Sequence, residues 1–307
     1  MTSAPLSHRP SLLEKARLVG ADIKLAQSVS ALPFALLAAA MARPVNESLA
    51  TTSGKIILVV VCMVLARTWA MLVNRLADRR FDAANPRTAR RAVAAGRLSP
   101  DDARAFAFTC AGLFVGAASI FWFLYANPWP PMLAVPVLVW IAFYSFTKRF
   151  TALCHLFLGG ALAASPLAAA IAMDPGSLSV MPALWWLAGM VVLWVGGFDV
   201  IYALQDVAFD RTTGLHSIPA RLGPHGAIWV SRAMHVGAGA CLVAAAMADD
   251  RFGIIFPIGV GLVLALLVTE HVVLAKRGEA GLEMAFFTLN GVVSCLLGAA
   301  GILDLLF

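Results

Sequence analysis

Long apolar runs, interrupted only by short polar segments, leave this chain one kind of architecture. Backbone N–H and C=O groups placed in hydrocarbon must satisfy one another, so such runs become helices. About 20 apolar residues cross the hydrocarbon core as a helix. Nine runs fit that description, at 27–42, 54–74, 103–124, 131–147, 152–172, 183–204, 227–247, 252–275 and 284–306. Breakers separate them: Arg43-Pro44, Asn127-Pro128, Asp174-Pro175-Gly176, Gly223-Pro224 and Lys276-Arg277-Gly278. The chain is 61% hydrophobic and 13% charged, whereas soluble domains are about half apolar and about a quarter charged. The expected fold is an all-α polytopic membrane protein, one domain over 1–307. Nine transmembrane helices, two four-helix halves plus one, surround a central cavity. The halves rest on an echo between Ala31-Leu-Pro33-Phe and Ala164-Ser-Pro166-Leu, the sign of an internal repeat.

Charge sets the orientation. With a cytoplasmic N-terminus, cytoplasmic segments hold Arg9, Lys15, Arg17, Lys24, eight arginines from Arg75 to Arg104, Lys148, Arg149, Arg211, Arg221, Lys276 and Arg277. The opposite side holds only Arg43, Lys55 and Arg251. This asymmetry is the signature of a protein integral to a bacterial inner membrane. The net charge of +6 therefore reflects topology, and no nucleic-acid partner is expected. Cys62, Cys110, Cys154, Cys241 and Cys295 all lie in apolar stretches and read as small apolar residues. The first 27 residues are mixed and polar, so no cleavable leader is expected and the first helix directs insertion.

Two acidic motifs stand where apolar runs end. One is Asn74-Arg-Leu-Ala-Asp78-Arg-Arg-Phe-Asp82, and the other is Tyr202-Ala-Leu-Gln-Asp206-Val-Ala-Phe-Asp210. Both have D-x-x-x-D spacing and close the second and sixth runs on the cytoplasmic side. On a helix, residues four apart share a face, and two like charges there repel. A divalent cation removes that penalty. Mg²⁺ takes oxygen ligands from one or two carboxylates together with phosphate oxygens. The expected metal set is Asn74, Asp78, Asp82, Asp206 and Asp210, with diphosphate between the motifs.

Asp199 lies inside an apolar run, seven residues before Asp206 (206 − 199). An intramembrane carboxylate faces a polar cavity or a partner. It reads as the floor of the cavity, assisting cation stabilisation or acceptor positioning, or else as an ion pair with the intramembrane Arg67. Arg67 in turn is a candidate for gripping an acceptor carboxylate through paired hydrogen bonds. Arg87 and Arg91 after the first motif, and Lys148 and Arg149 at the end of the fourth run, are candidates for binding diphosphate. The glycine pairs Gly159-Gly160 and Gly196-Gly197 read as close helix contacts. The histidines form no metal-ligand pattern.

The paired motifs resemble those of the UbiA-type intramembrane prenyltransferases. The resemblance rests on Asn74…Asp78…Asp82 with the following Asn85-Pro86-Arg87, on Asp199-Val-Ile-Tyr202…Asp206…Asp210, and on the Tyr144-Ser-Phe-Thr-Lys148-Arg149 ending of the fourth run. It covers nearly the whole chain. Arg75 stands where the family usually carries aspartate, and His216 where ubiquinone enzymes often carry lysine. The segment from Ala66 to Leu76 is similar to a 4-hydroxybenzoate polyprenyltransferase-like branch that includes naphthoate-prenylating enzymes of menaquinone synthesis.

The resemblance implies Mg²⁺-dependent transfer of a polyprenyl group from polyprenyl diphosphate to an aromatic acid acceptor in respiratory quinone synthesis. Tyr202 joins the substrate-binding residues, and Asp78, Asp82, Asp199, Asp206 and Asp210 are the expected catalytic carboxylates. Membrane lipid is the surrounding partner. Other acceptors, such as haem or chlorophyllide, or cyclisation of the diphosphate itself, belong to the same fold. A cation transporter is the alternative of a different class, but such carriers place acidic sites near the bilayer midplane on broken helices.

Overall fold

The computed structural model describes residues 11–22, 31–278 and 288–307. These residues are helical, with no strand among them. The order is α1 (Leu12–Asp22), α2 (Leu32–Met41), α3 (Leu49–Ala77), α4 (Arg79–Ala84), α5 (Pro100–Tyr125), α6 (Trp129–Thr147) and α7 (Cys154–Met173). Then come α8 (Ser177–Val180), α9 (Pro182–Tyr202), a 3₁₀ turn (Ala203–Asp206), α10 (Val207–Thr213), α11 (Ile218–Met247), α12 (Ile255–Arg277) and α13 (Asn290–Leu306). Seven helical segments are long and apolar enough to cross a membrane: α3, α5, α6, α7, the Pro182–Thr213 segment, α11 and α12. Two shorter apolar helices, α2 and α13, coincide with the first and last expected runs. Residues 27–30 and 284–287 of those runs, like Arg9 and Lys24, lie outside the described residues.

Polar caps fix where helices begin. Ser48, Ser99 and Ser217 each accept a hydrogen bond from the backbone N–H three residues on, at the starts of α3, α5 and α11. Pro100 and Pro219 sit in first turns, where a missing N–H leaves no bond unmade. Gly223-Pro224, read from the sequence as a breaker, does interrupt helical geometry, leaving two helical stretches within α11. It kinks α11, with Gly223 at φ 74°, a conformation open to glycine without strain.

The main core gathers around α9. Trp194 is fully buried, packs edge-on against Phe34 and Phe198, and donates from Nε1 to Asn290 Oδ1 at 2.8 Å. Between α7 and α9 the backbones touch. A Cβ at Gly159 would collide with the carbonyl of Val192, which is the close approach that small residues permit between membrane helices. Four residues before Gly159, on the same face of α7, stands His155.

A smaller cluster lies on the motif side. Val19 of α1 packs with Leu72, Ala92, Val93, Leu98 and Ala103, and Asp22 Oδ1 accepts from the Ala92 N–H at 2.9 Å. The short N-terminal helix is thereby fastened to the loop that follows the first motif.

Candidate active site

Neither motif forms the unbroken helix expected from its spacing. α3 stops at Ala77, and Asp78 takes φ −90°, ψ 5° before α4 begins. In the second motif the 3₁₀ turn ends at Asp206, with φ −105°, ψ 5°, before α10. Both first aspartates therefore occupy the sparsely used bridge region, and the chain bends at each. One helical bond survives across the first bend, from Asp82 N–H to Asp78 O at 2.7 Å.

The two motifs meet. Asn85 and Arg87, from the loop after the first, reach Asp206 of the second. Asn85 Nδ2 donates to Asp206 Oδ1 at 3.0 Å, Arg87 Nε to the same oxygen at 3.1 Å, and Arg87 Nη2 to Oδ2 at 2.5 Å. Arg87 Nη1 also donates to the Tyr202 hydroxyl at 3.1 Å. Every motif carboxylate has its own cation. Asp78 faces Arg149 at 3.0 Å, Asp82 faces Arg91 at 2.7 Å, Asp206 faces Arg87, and Asp210 faces Lys148 at 2.8 Å. The four basic residues expected to serve a diphosphate are thus the ones interleaved with the acidic motifs. Ser217 Oγ donates to Asp210 Oδ2 at 2.8 Å while capping α11.

Burial shapes these charges. It pushes the Asp78 carboxyl up to about 6, against the opposing pull of Arg149. Burial alone would lower Lys148 and Arg87, but the facing Asp210 and Asp206 outweigh it and hold both above their ordinary values.

The donor set suits Mg²⁺. It consists of oxygens, and Asp82 Oδ2 is buried with no hydrogen bond, with Arg75 Nη1 4.0 Å away. Among the described residues no three His, Cys, Asp or Glu side chains converge as a ready-made metal cage. Mg²⁺ does not need one, since it keeps waters and shares phosphate oxygens. Asn74 is placed less simply than expected. Its Oδ1 accepts from Arg75 Nη1 at 3.0 Å and its Nδ2 donates to Asp78 Oδ2 at 3.1 Å, so it would have to release Arg75 to ligate a metal.

A mainly apolar cavity of about 350 Å³ lies between α3, α5, α6 and α7. Its lining includes Met63, Phe114, Phe121 and Leu162, and its polar members include Arg67 and Tyr144. Tyr144 is within electrostatic reach of Arg75, Asp78 and Asp199, so it stands where the apolar space meets the charged cluster. Arg67 Nε is buried without a hydrogen bond.

The pairing of Arg67 with Asp199, one reading of the sequence, does not form. Asp199 Oδ2 lies 2.6 Å from His155 Nδ1 instead. The antiparallel contact of α7 and α9 at Gly159 brings the imidazole to Asp199 first.

The family model described as the UbiA prenyltransferase family matches residues 31–292. The chain belongs to that family. Two similar relatives are 4-hydroxybenzoate octaprenyltransferases. The one from Saccharophagus degradans is 32% identical over 240 residues, 77% of this chain and 76% of the relative. The one from Nitrosospira multiformis is 31% identical over 246 residues, 79% and 80%. Among solved structures, the apo form of a UbiA homolog from Aeropyrum pernix K1 aligns with TM-score 0.80 and 31% identity, covering 91% of this chain and 98% of that one. A UbiA homolog from Archaeoglobus fulgidus bound to GPP and Mg²⁺ shares the fold, with TM-score 0.69 and 16% identity over 94% and 100% of the chains. Like the family, the chain is an integral membrane protein with several long apolar helices.

Within this UbiA site, sequence reasoning gave no site role to Asn85, Tyr144, His155 or Ser217, although Asn85 and Tyr144 lie in the segments that carry the resemblance. His155 carried a signal, as an ionisable residue in an apolar helix, but its partner is 44 residues away. Arg75, the departure from the family motif, is buried between Asn74, Asp82 and Asp22, whose Oδ2 lies 3.8 Å from Arg75 Nε. The acidic residue that α1 contributes faces the extra positive charge.

Proposed function

We propose that this chain transfers a polyprenyl group from polyprenyl diphosphate to an aromatic acid acceptor of the 4-hydroxybenzoate type, for respiratory quinone synthesis. The observation that carries the reading is the junction of two aspartate motifs and four cations beside an apolar cavity containing Arg67. The names of the curated relatives agree with it, and the Mg²⁺ and prenyl diphosphate of the Archaeoglobus fulgidus homolog suit an oxygen-rich donor set.

Asp78, Asp82, Asp206 and Asp210, with Asn74 where Arg75 yields, would hold Mg²⁺. Held there, Mg²⁺ would supply positive charge against the negative charge growing on the departing diphosphate. Arg87, Arg91, Lys148 and Arg149 add fixed positive charge at the same rim, and Tyr202 steadies Arg87. The allylic C–O bond breaks, its electron pair leaving with the diphosphate. The apolar cavity keeps water from the allylic cation. Its volume is in the range of small-ligand sites, so a long isoprenoid tail extends beyond it into lipid. Arg67, with an unused buried donor, holds the acceptor carboxylate. The ring carbon ortho to the hydroxyl forms the new C–C bond, and the ring proton passes to the Asp199 carboxylate.

The same proposal gives one domain over 1–307 with nine spans, α2 and α13 joining the seven longer segments, in two four-helix halves plus one. The N-terminus and the site face the cytoplasm of a bacterial inner membrane. The deciding experiment is product mass spectrometry on purified protein given Mg²⁺, prenyl diphosphates of several lengths, and either 4-hydroxybenzoate or dihydroxynaphthoate. Prenylated 4-hydroxybenzoate supports the proposal. A prenylated naphthoate moves the acceptor to the menaquinone branch. No prenylated product from any pair overturns it.

A further inference from the structure

His155 lies outside the charged rim, yet it is the polar side chain that touches Asp199. The imidazole is 2% exposed and sits in the first turn of α7. Nδ1 is 2.6 Å from Asp199 Oδ2, and Nε2 accepts from the backbone N–H of Ile218 at 3.3 Å. That N–H settles the tautomer. A hydrogen on Nε2 would point at another hydrogen, so Nε2 is bare and the ring proton is on Nδ1, aimed at the carboxylate. A ring nitrogen's state is set by what the other nitrogen meets.

Ile218 is not an arbitrary neighbour. It follows Ser217, which donates to Asp210, and the same loop is fixed by His216 N–H to Lys148 O at 2.7 Å and by Cys154 Sγ to His216 O at 3.5 Å. One imidazole therefore spans from the loop that holds Asp210 to the carboxylate in the membrane.

We propose that His155 is a positioning residue, holding Asp199 through Nδ1–H in one orientation while the Ile218 N–H locks its tautomer, so that Asp199 is registered against the Asp210 side of the site. The proposal deepens the prenyl-transfer reading and rests on it for the role of Asp199. The Asp199 side chain is 23% exposed, and a carboxylate inside the membrane without a fixed partner turns toward water or another donor. His155 keeps the Asp199 carboxylate turned to receive the proton released from the ring.

The test separates the two ring nitrogens. In His155→Asn the amide nitrogen takes the place of Nδ1 and keeps a donor for Asp199. In His155→Gln the amide reaches the Nε2 position, meets the Ile218 N–H and leaves Asp199 without a donor. His155→Leu removes both contacts. Full-length protein in lipid nanodiscs, with its active donor–acceptor pair, should show kcat within about threefold of wild type for the Asn variant. A fall of about tenfold or more is expected for Gln and Leu, with both KM values within about twofold. Wild-type kcat in the Leu variant, or equal losses in Asn and Leu, would overturn the proposal. Nitrogen-15 spectra of histidine-labelled protein in bilayers, assigned through the Asn variant, give a readout that a merely structural role does not move. A protonated Nδ1 with a bare Nε2 is expected, and the opposite tautomer sinks the idea even if the Leu variant fails to fold. Inactivity of wild type with every substrate pair overturns the functional reading instead, and the tautomer then decides the His155 proposal alone.

Discussion

Lys148 and Arg149 are adjacent in sequence and serve opposite motifs. Lys148 pairs with Asp210 at 2.8 Å and Arg149 with Asp78 at 3.0 Å. The end of α6 thus draws the two acidic bends together from one side, while Asn85 and Arg87 do so from the other. Asp210 is fully buried, and stripping the partner from a buried ion costs about 3–5 kcal/mol. Lys148→Ala should therefore destabilise the fold far more than Arg149→Ala, whose ion pair is about 30% exposed on each side. Thermal unfolding in detergent reads the difference, and equal Tm shifts would contradict it.

Asp78 and Asp206 are the cleanest probes of metal chemistry, because their cations Arg149 and Arg87 retain contact with water. Asp78→Ala and Asp206→Ala should each lower turnover by about 10²-fold or more while membrane levels of the protein stay near normal. Undiminished turnover in both variants would remove the metal-site assignment.

Chelation gives a second route to the same point. EDTA should abolish prenyl transfer, and added Mg²⁺ should restore it, because the donor set is oxygen throughout. Activity that persists in EDTA would count against all five proposed metal ligands.

The Asp78 carboxyl titrates at about 6 in the metal-free protein, above its ordinary value. Its neutral form is therefore favoured by the fold, and the stability this lends is complete at low pH and lost as pH rises through about 6. A metal competes with that proton, so Mg²⁺ affinity should fall up to about tenfold for each pH unit below about 6. Mg²⁺ titrations in wild type and Asp78→Asn check this. An identical pH dependence in the two proteins would refute it.

Arg67→Leu should raise the acceptor KM by about tenfold or more, the scale of a charge-assisted hydrogen bond, and leave the prenyl-donor KM unchanged. Steady-state kinetics with each substrate varied in turn provides the measurement. If the donor KM moves instead, Arg67 belongs to the diphosphate side.

The charged rim was legible because both of its halves are written as local patterns. Two D-x-x-x-D motifs end apolar runs, Arg87 and Arg91 follow the first of them in the chain, and Lys148 and Arg149 end the fourth run. Their one-to-one pairing was not legible, since Asp206 meets a residue 119 positions away. The bends at Asp78 and Asp206 left no sign either, because neither is marked by an adjacent glycine or proline. At Asp199 one of the two readings, the ion pair with Arg67, failed. Periodicity fixes which face of α9 carries it but not which neighbouring helix comes nearest. Gly159 decided that by letting α7 close in with His155 ahead of Arg67.

The small helix α1 carries a practical consequence. Through Val19 and Asp22 it is a strut under the segment that bears Arg87 and Arg91. Purification handles or fusion partners at the amino end would load that strut, and measured rates would then report the handle as well as the enzyme. The carboxyl end, where α13 finishes beside the start of α12 with Asp304 accepting from the Ile255 and Phe256 N–H groups, is the quieter place to attach one.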